Sequence, residues 1–398
     1  MTPRDDIETI IRRWDRYENN RGASGIIDYD CHPDNTPVTP VASRYEALTA
    51  LLELQRAHQD IDPDRGAVLT AHIVYLRALL GERIPLDEYI PGTQGCGCAG
   101  WPTEHLDHVH SRAVERLEHL GIAWNDKTLT ALDNTEGRLG PDDARTAIES
   151  AAATFESTVR KTCDTSAPFS VSTEIVDIDD YWSFWLDGHG STARLRINTR
   201  HSQFTTVRAR QFALHEVLGH ALQYASYSER CARADVPWLR LLSVHTPHQV
   251  LLEGLAQAMP LFVATDDTEL VTRVRLDHYH ALVHAELHHR INTGQPVDEC
   301  VRFARDHVPY WSDQRIGDLL SDRGANPLLR SYLWAYPAGL DWFAALADHG
   351  STVVIQEVLR AAYRDPLTPR QLHALWPDSP TVGGPGRAPV RLREPAIP

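Results

Sequence analysis

Along most of the chain, apolar residues return every three or four positions, the spacing that gathers them on one face of a helix. In "MTPRDDIETIIRRW", Ile7, Ile10, Ile11 and Trp14 share such a face. The spacing continues through "RYEALTALLELQRAH" and "GAVLTAHIVYLRALLG", the second closing on a glycine, a common helix stop. "TEHLDHVHSRAVERLEHLG" and "DDARTAIESAAATFESTVRKTC" extend it to about residue 165. Between 169 and 199 the period changes: "DYWSFWL", "DGHG" and "ARLRINT" predict a hairpin. Ala193, Leu195 and Ile197 alternate there with Arg194, Arg196 and Asn198, as strand residues do. Helical spacing resumes from about 205 to 365. The segment 376–398 is rich in Pro and Gly and is expected to be poorly ordered. The pattern therefore predicts a mainly α fold with a small antiparallel β-sheet (α+β). It divides into a helical region 1–165, a region 166–375 continuous with it, and a tail 376–398.

One helix breaks the rule that buried faces are apolar. "RQFALHEVLGHALQYA", residues 210–225, carries His215, Glu216 and His220 at its centre. An unpaired carboxylate and two unpaired imidazoles are costly to bury. A divalent ion resolves all three demands: the imidazoles ligate it and the carboxylate faces its bound water. On a regular helix, residues four apart sit about 40° apart around the axis and residues five apart about 140°. His215 and His220 are five apart, so the spacing predicts a local π-type widening. Gly219 lies inside that interval, where the backbone relaxes most easily.

A second apolar helix holds one charge. In "VLLEGLAQAMPLF", residues 250–262, Glu253 is followed by Gly254, which is expected to let this helix pack closely on the first. Two imidazoles and one carboxylate leave a fourth position open, as catalytic zinc sites do. The candidate ligands are therefore His215, His220 and Glu253, for one zinc ion per chain. Gln257, one turn beyond Glu253, is a candidate hydrogen-bond partner for a ligand imidazole or a packing residue.

Composition narrows the setting. The chain has 398 residues, enough for one large domain or two modest ones, with 42% hydrophobic and 23% charged residues. No uninterrupted apolar run of about 18 residues occurs, and the start reads as a charged amphipathic helix rather than a signal peptide. The formal charge of −15 argues against nucleic-acid and anionic-membrane partners. A peptide or small amide substrate is expected instead from the chemistry of the metal set, a bound water and a carboxylate base acting on a carbonyl. Six scattered cysteines read as reduced thiols, which places the protein in the cytoplasm. The "GCGC" of 95–98 lacks a second Cys/His pair at zinc-ribbon spacing and reads as a glycine-rich turn.

"HEVLGH" together with "LLEGLAQ" resembles the gluzincins, zinc hydrolases with an HExxH or HExxxH helix and a downstream glutamate ligand. Within them it is most similar to two groups. One is a bacterial family with an HExxPGHHLQ helix and an EGWA helix; compare "GHALQ" at 219–223 and "EGLA" at 253–256. The other is the tyrosine carboxypeptidase-like family with HExxxH and QEGLA. The resemblance covers about 193–345, and "SYLWAYPAGL" is similar to the bacterial family's Y-x-x-G element through Tyr336 and Gly339. It implies a metallopeptidase in which Glu216 is general base and acid and Tyr336, or Tyr332 in its stead, donates a hydrogen bond to the oxyanion. It also implies that "ARLRINT" is an edge strand for extended substrate. Two departures stand out: one residue fewer separates the histidines than in the PGHH form, and Leu252 replaces the glutamine of QEGLA.

Other polar positions are less pointed. "LDHYHALVHAELHHR", residues 276–290, sets His280, His284 and His288 on one face, readable as a second metal site, a cleft lining or a solvated face. Arg290 is a candidate anchor for a substrate carboxylate and Asn198 a second candidate substrate contact. "ELHH" at 286–289 raises a rival reading, a helical non-heme metal oxidase, for which no second inward-facing Glu-x-x-His is found. A catalytically inactive metallopeptidase-like scaffold is the third reading. Intact Glu216 argues against it, because proton transfer needs that residue and zinc retention does not.

Overall fold

The computed structural model describes residues 2–34, 37–58, 60–179, 183–200, 202–321 and 326–385. Helices dominate, and local chemistry starts several of them. Thr2 and Asp5 form a reciprocal capping box for the helix Pro3–Asn20, and Ser43 caps Arg44–Ala57. Ile7, Ile11 and Trp14 of the first helix are fully buried against the helix Pro63–Leu79 and the segment around Leu239 and Leu241. Each such burial is worth about 1.5–3 kcal/mol. A larger core joins side chains from both sides of position 165, among them Tyr89, Leu106, Leu218, Leu251 and Trp342. The helix Leu86–Gln94 is absent from the sequence reading because Pro91 lies inside it. It is held by tertiary bonds instead: Tyr89 donates to the Pro327 carbonyl at 2.8 Å, and Gln94 to Ser331 Oγ at 2.9 Å.

The strands, in chain order, are β1 (Tyr29–Asp30), β2 (Arg138–Leu139), β3 (Ser170–Val176), β4 (Phe184–His189), β5 (Thr192–Asn198), β6 (Phe204–Thr205) and β7 (Leu241–Leu242). β2 and β6 form a two-residue ribbon, and the other five make one sheet in the order β3-β5-β4-β1-β7. The expected hairpin is β4–β5, antiparallel, with Phe184 opposite Ile197 and His189 opposite Thr192. Asp180, Tyr181 and Trp182, part of the expected first strand, lie outside the described residues. The sheet as a whole is mixed, which corrects the antiparallel expectation. β3 runs parallel to β5, and β1 runs parallel to β4. Alternation within a hairpin reveals its own partner, whereas the two-residue strands β1 and β7 are too short to show any period. A second correction concerns "ARLRINT": β5 lies between β3 and β4 and is not an edge.

Ala193, Leu195 and Ile197 of β5 are buried against the helix Pro141–Cys163 and the histidine-bearing helix. The tail also departs from expectation. Trp376 and Val382 are buried, Gly97 donates to the Val382 carbonyl at 3.0 Å, and a Cβ on Gly383 would lie 2.1 Å from the Gly97 carbonyl oxygen. Gly97 of "GCGC", with Gly100 just beyond it, thus admits the chain around 382–384. Residues 386–398 lie outside the described residues.

Candidate metal centre

The histidine helix is three consecutive stretches: α-helical Thr206–Phe212, a π-helix Ala213–Ala221, and α-helical Leu222–Arg233. The widening falls on the His-Glu-x-x-x-His span. Leu222 N–H bonds back five residues to the Val217 carbonyl, which rotates His220 towards His215. The two rings stand perpendicular with centroids 4.7 Å apart, and their Nε2 atoms are 3.2 Å apart. Gly219 serves this twice. A Cβ there would lie 2.7 Å from the Leu214 carbonyl inside the wide turn and 2.9 Å from Ala256 Cβ on the neighbouring helix.

That neighbour, His248–Ala258, supplies Glu253, which is buried. Glu253 Oε2 lies 3.4 Å from His215 Nε2, and Oε1 lies 3.6 Å from His220 Nε2. Glu216 Oε1 is 3.7 Å from His215 Nε2. Donor atoms around a tetrahedral ion at about 2.0–2.1 Å stand about 3.3–3.4 Å from one another, so the 3.2–3.6 Å set fits one zinc-sized ion. Glu253 Oε2 is buried with no hydrogen-bond partner among the described residues, as an oxygen reserved for an ion would be. Gly254 was expected to bring this helix against the histidine helix. It meets Gly339 of the helix Ala335–His349 instead: a Cβ on Gly254 would lie 2.4 Å from Gly339 Cα. Contact with the histidine helix runs through Gly219 and Ala256.

Electrostatics separate the two carboxyls. Burial pushes Glu216 up to about 7, with Glu253 adding to the rise and His215 opposing it. Burial also acts on Glu253, but His220 and His215 prevail and hold it well below the ordinary carboxylate range. One acid is poised to exchange a proton near neutrality and the other stays ionised. The tyrosines complete the wall. Tyr332 donates to Glu253 Oε1, and Tyr336 donates to the Tyr332 hydroxyl at 2.6 Å. Burial keeps the Tyr332 hydroxyl protonated far above its usual range.

A second histidine–carboxylate group has different dimensions. His105 Nε2 and His278 Nε2 lie 2.7 and 2.8 Å from the same Asp341 oxygen, and Trp101 donates to the other at 2.8 Å. Those are hydrogen-bond lengths, and the group ties together the helices Thr103–His119, Thr268–Asn292 and Ala335–His349. His280 and His288 of the 276–290 segment are taken up by aromatic partners and form neither a cleft lining nor a solvated face. His280 bonds the Tyr310 hydroxyl at 2.6 Å, and buried His288 accepts from Trp334 at 2.9 Å.

The metal centre opens into a cavity of about 190 Å³ walled by Asp28, Trp185, Tyr224, Gln249, Tyr332 and Tyr336 around Glu216, His220 and Glu253. A larger cleft of about 630 Å³, bordered by Arg230, Arg233 and Arg360, contains none of these residues. Three sequence candidates stand outside the 190 Å³ cavity. Arg290 bonds Glu286 and Gln295 and lies over the Phe303 ring. The Asn198 amide bridges the backbone of Ile178 and Arg200 at the end of β5. Gln257 is half-buried near the end of its helix and does not line the cavity. Conversely, the sequence reading missed Asp28 and Trp185, because neither sits in a periodic pattern that points to a site. Asp28 Oδ2 accepts from Val244 N–H at 2.6 Å; burial raises the carboxyl to about 8, with Asp15, Asp187 and Glu253 adding to the rise. The strand nearest the cavity is β4, whose Phe184, Trp185 and Leu186 line it while only Gly188 and His189 pair with β1.

No known protein family matches the sequence, and no curated protein does. Among solved structures, the fold is similar to that of a candidate lipoprotein from Colwellia psychrerythraea, at 10% identity and a TM-score of 0.50. That match covers 84% of this chain and 61% of the other, so this chain spans about three fifths of that protein's length. Metallocarboxypeptidase 1 from Trypanosoma cruzi aligns at 11% identity and a TM-score of 0.39, covering 95% of this chain and 76% of that one. The first likeness is one of fold alone, and a score of 0.39 is too low to establish even that.

Proposed function

We propose that this protein hydrolyses peptide or amide bonds with one zinc ion held by His215, His220 and Glu253. The observation that carries the reading is the convergence of three donors at 3.2–3.6 Å, from a π-turn and a second helix, beside a fourth group, Glu216, that none of them needs for binding. A nitrogen- and oxygen-donor set of this kind suits zinc. When bound there, zinc would supply a Lewis acid and bring the pKa of water in the site towards about 7. Glu216, largely buried in the cavity wall, takes a proton from the attacking water and returns it to the leaving nitrogen. Tyr332, which here gives its one hydroxyl proton to Glu253 Oε1, would turn that proton to the oxygen that becomes negative, with Tyr336 donating in turn to Tyr332. The free half of β4 offers main-chain groups to an extended peptide.

The oxidase reading loses its support. Glu286 is bonded to Arg290 and His289 faces the Cys98 carbonyl, and no second carboxylate–histidine set joins them among the described residues. Among the described residues no helix is long and apolar enough to cross a membrane. All six cysteines are unpaired, in keeping with a reducing compartment, and the charge of −15 favours a peptide or small amide over nucleic acid. The test compares wild type with Glu216→Gln by zinc stoichiometry and by digestion of a peptide library. Both should hold one zinc, and only wild type should cleave; unaltered turnover in the glutamine variant rules the mechanism out.

A further inference from the structure

We propose that Asp28 is a specificity residue of this site, binding a cationic nitrogen carried by the substrate within about one residue of the scissile bond. The inference rests on the hydrolase reading above and adds the substrate's charge to it. Asp28 stands just ahead of β1, and its Oδ2 is fixed by Val244 N–H at 2.6 Å, so the carboxyl is oriented before any ligand arrives. It shares a cavity of only about 190 Å³ with Glu216, His220 and Glu253. A group seated in so small a space lies close to the metal donors and to Asp28 at once.

Charge counting then selects the ligand. The cavity holds three carboxyls, Asp28, Glu216 and Glu253, and no arginine or lysine among its described lining residues. Asp28 forms no ion pair among the described residues, whereas nearby Asp187 is already held by Arg194 and Arg196. Left alone, the buried Asp28 carboxyl is largely protonated at neutral pH, but a divalent ion and a substrate cation both favour its charged form. Once it is ionised, one zinc ion offsets two of the three negative charges and leaves one. A substrate carboxylate would double that surplus, while an ammonium or guanidinium would cancel it. The site therefore lacks what a carboxyl-terminal anchor requires and has what a cation requires. Trp185 lines the same cavity and adds an aromatic ring, favourable to a desolvated cation. Asp28 and Trp185 also line an adjoining cavity of about 540 Å³ that runs past Gly188 and Asn19, where Arg194 and Arg196 are held by Asp187. The cation can therefore be a terminal ammonium or a basic side chain of a longer chain.

Three metal-chelating probes distinguish these sources on the zinc-loaded protein: leucine hydroxamate, N-acetylleucine hydroxamate and Nα-acetyllysine hydroxamate, titrated calorimetrically. At least one of the two cationic probes should bind on the order of ten- to a hundredfold tighter than the acetylleucine form, as a charge-assisted hydrogen bond gives. The probe that does so identifies the source. Asp28→Asn keeps an acceptor for Val244 N–H and should abolish the preference while retaining zinc and affinity for the acetylleucine probe. Equal binding of all three probes, or a preference that survives Asp28→Asn, overturns the inference and leaves the metal centre standing. If the variant loses zinc as well, the wild-type comparison decides alone. Failure of every probe to bind wild type removes the metal centre and this inference with it.

Discussion

Gly254→Ala tests whether the metal centre depends on how closely two helices cross. The added Cβ would sit 2.4 Å from both Cα and C of Gly339 and 2.8 Å from its oxygen, all backbone atoms that cannot rotate away. Restoring an ordinary contact of 3.4 Å requires the helices to part by about 1 Å at the crossing. Overpacking of this kind costs about 3 kcal/mol, the upper end of the usual range, because backbone opposes backbone. At about 2.1 cal/mol/K per residue over the chain, that corresponds to a fall in Tm of about 4 °C. The same movement parts Glu253 from the Tyr332 hydroxyl that orients it and shifts it relative to His215 and His220, so zinc affinity should drop about tenfold or more. Thermal melting of the metal-free protein and a competitive zinc titration read the two effects separately. Gly317→Ala is the control: a Cβ there meets nothing within 4 Å, and the change should leave Tm level or raise it by about 1 °C. A Gly254→Ala variant that melts and binds zinc like wild type would refute the close crossing as a determinant of the site.

Tyr332→Phe should lower kcat/KM about a hundredfold with zinc retained, and Tyr336→Phe less, because Tyr336 acts through Tyr332; kinetics paired with metal analysis check this. In the metal-free protein, Glu216 has a folded pKa of about 7 against an ordinary 4.5. Its contribution to stability is therefore complete below about pH 4.5 and lost as the pH rises to about 7. Glu216→Gln should overtake wild type in stability across that window, by on the order of 2–3 kcal/mol at pH 8; parallel melting curves at all pH values would contradict the desolvated environment. Arg273→Met should cost about 3–5 kcal/mol, seen as a fall in Tm of about 4–6 °C, because it strands the carboxyl of buried Glu136 that Arg273 pairs in two places.

Much of this was legible in the sequence because burial imposes a period. His215, His220 and Glu253 declared themselves as polar groups on apolar faces, and the five-residue interval demanded the π-turn that Ala213–Ala221 forms. The β4–β5 hairpin was visible for the same reason, in the alternation of Ala193, Leu195 and Ile197. What stayed hidden depends on contacts between distant positions. Asp28 enters the cavity from an irregular segment, and the partner of Gly254 is another glycine 85 residues on (339 minus 254). Neither position is periodic, so only the assembled fold reveals it. The histidines of the 276–290 segment misled for a related reason. Their spacing marks a face, but whether that face meets water, an ion or Tyr310 and Trp334 is decided by helices elsewhere in the chain.

The bond from Gly97 N–H to the Val382 carbonyl spans 285 positions (382 minus 97). A ribosome adding about 5–20 residues per second needs roughly 15–60 s to make that stretch. Throughout that interval the turn holding Cys96 and Cys98 has emerged while its strap has not been made. Two thiols that are inaccessible in the finished protein are therefore open to oxidants during synthesis. Their vulnerability belongs to the nascent chain and ends when the last glycine pair slides into place.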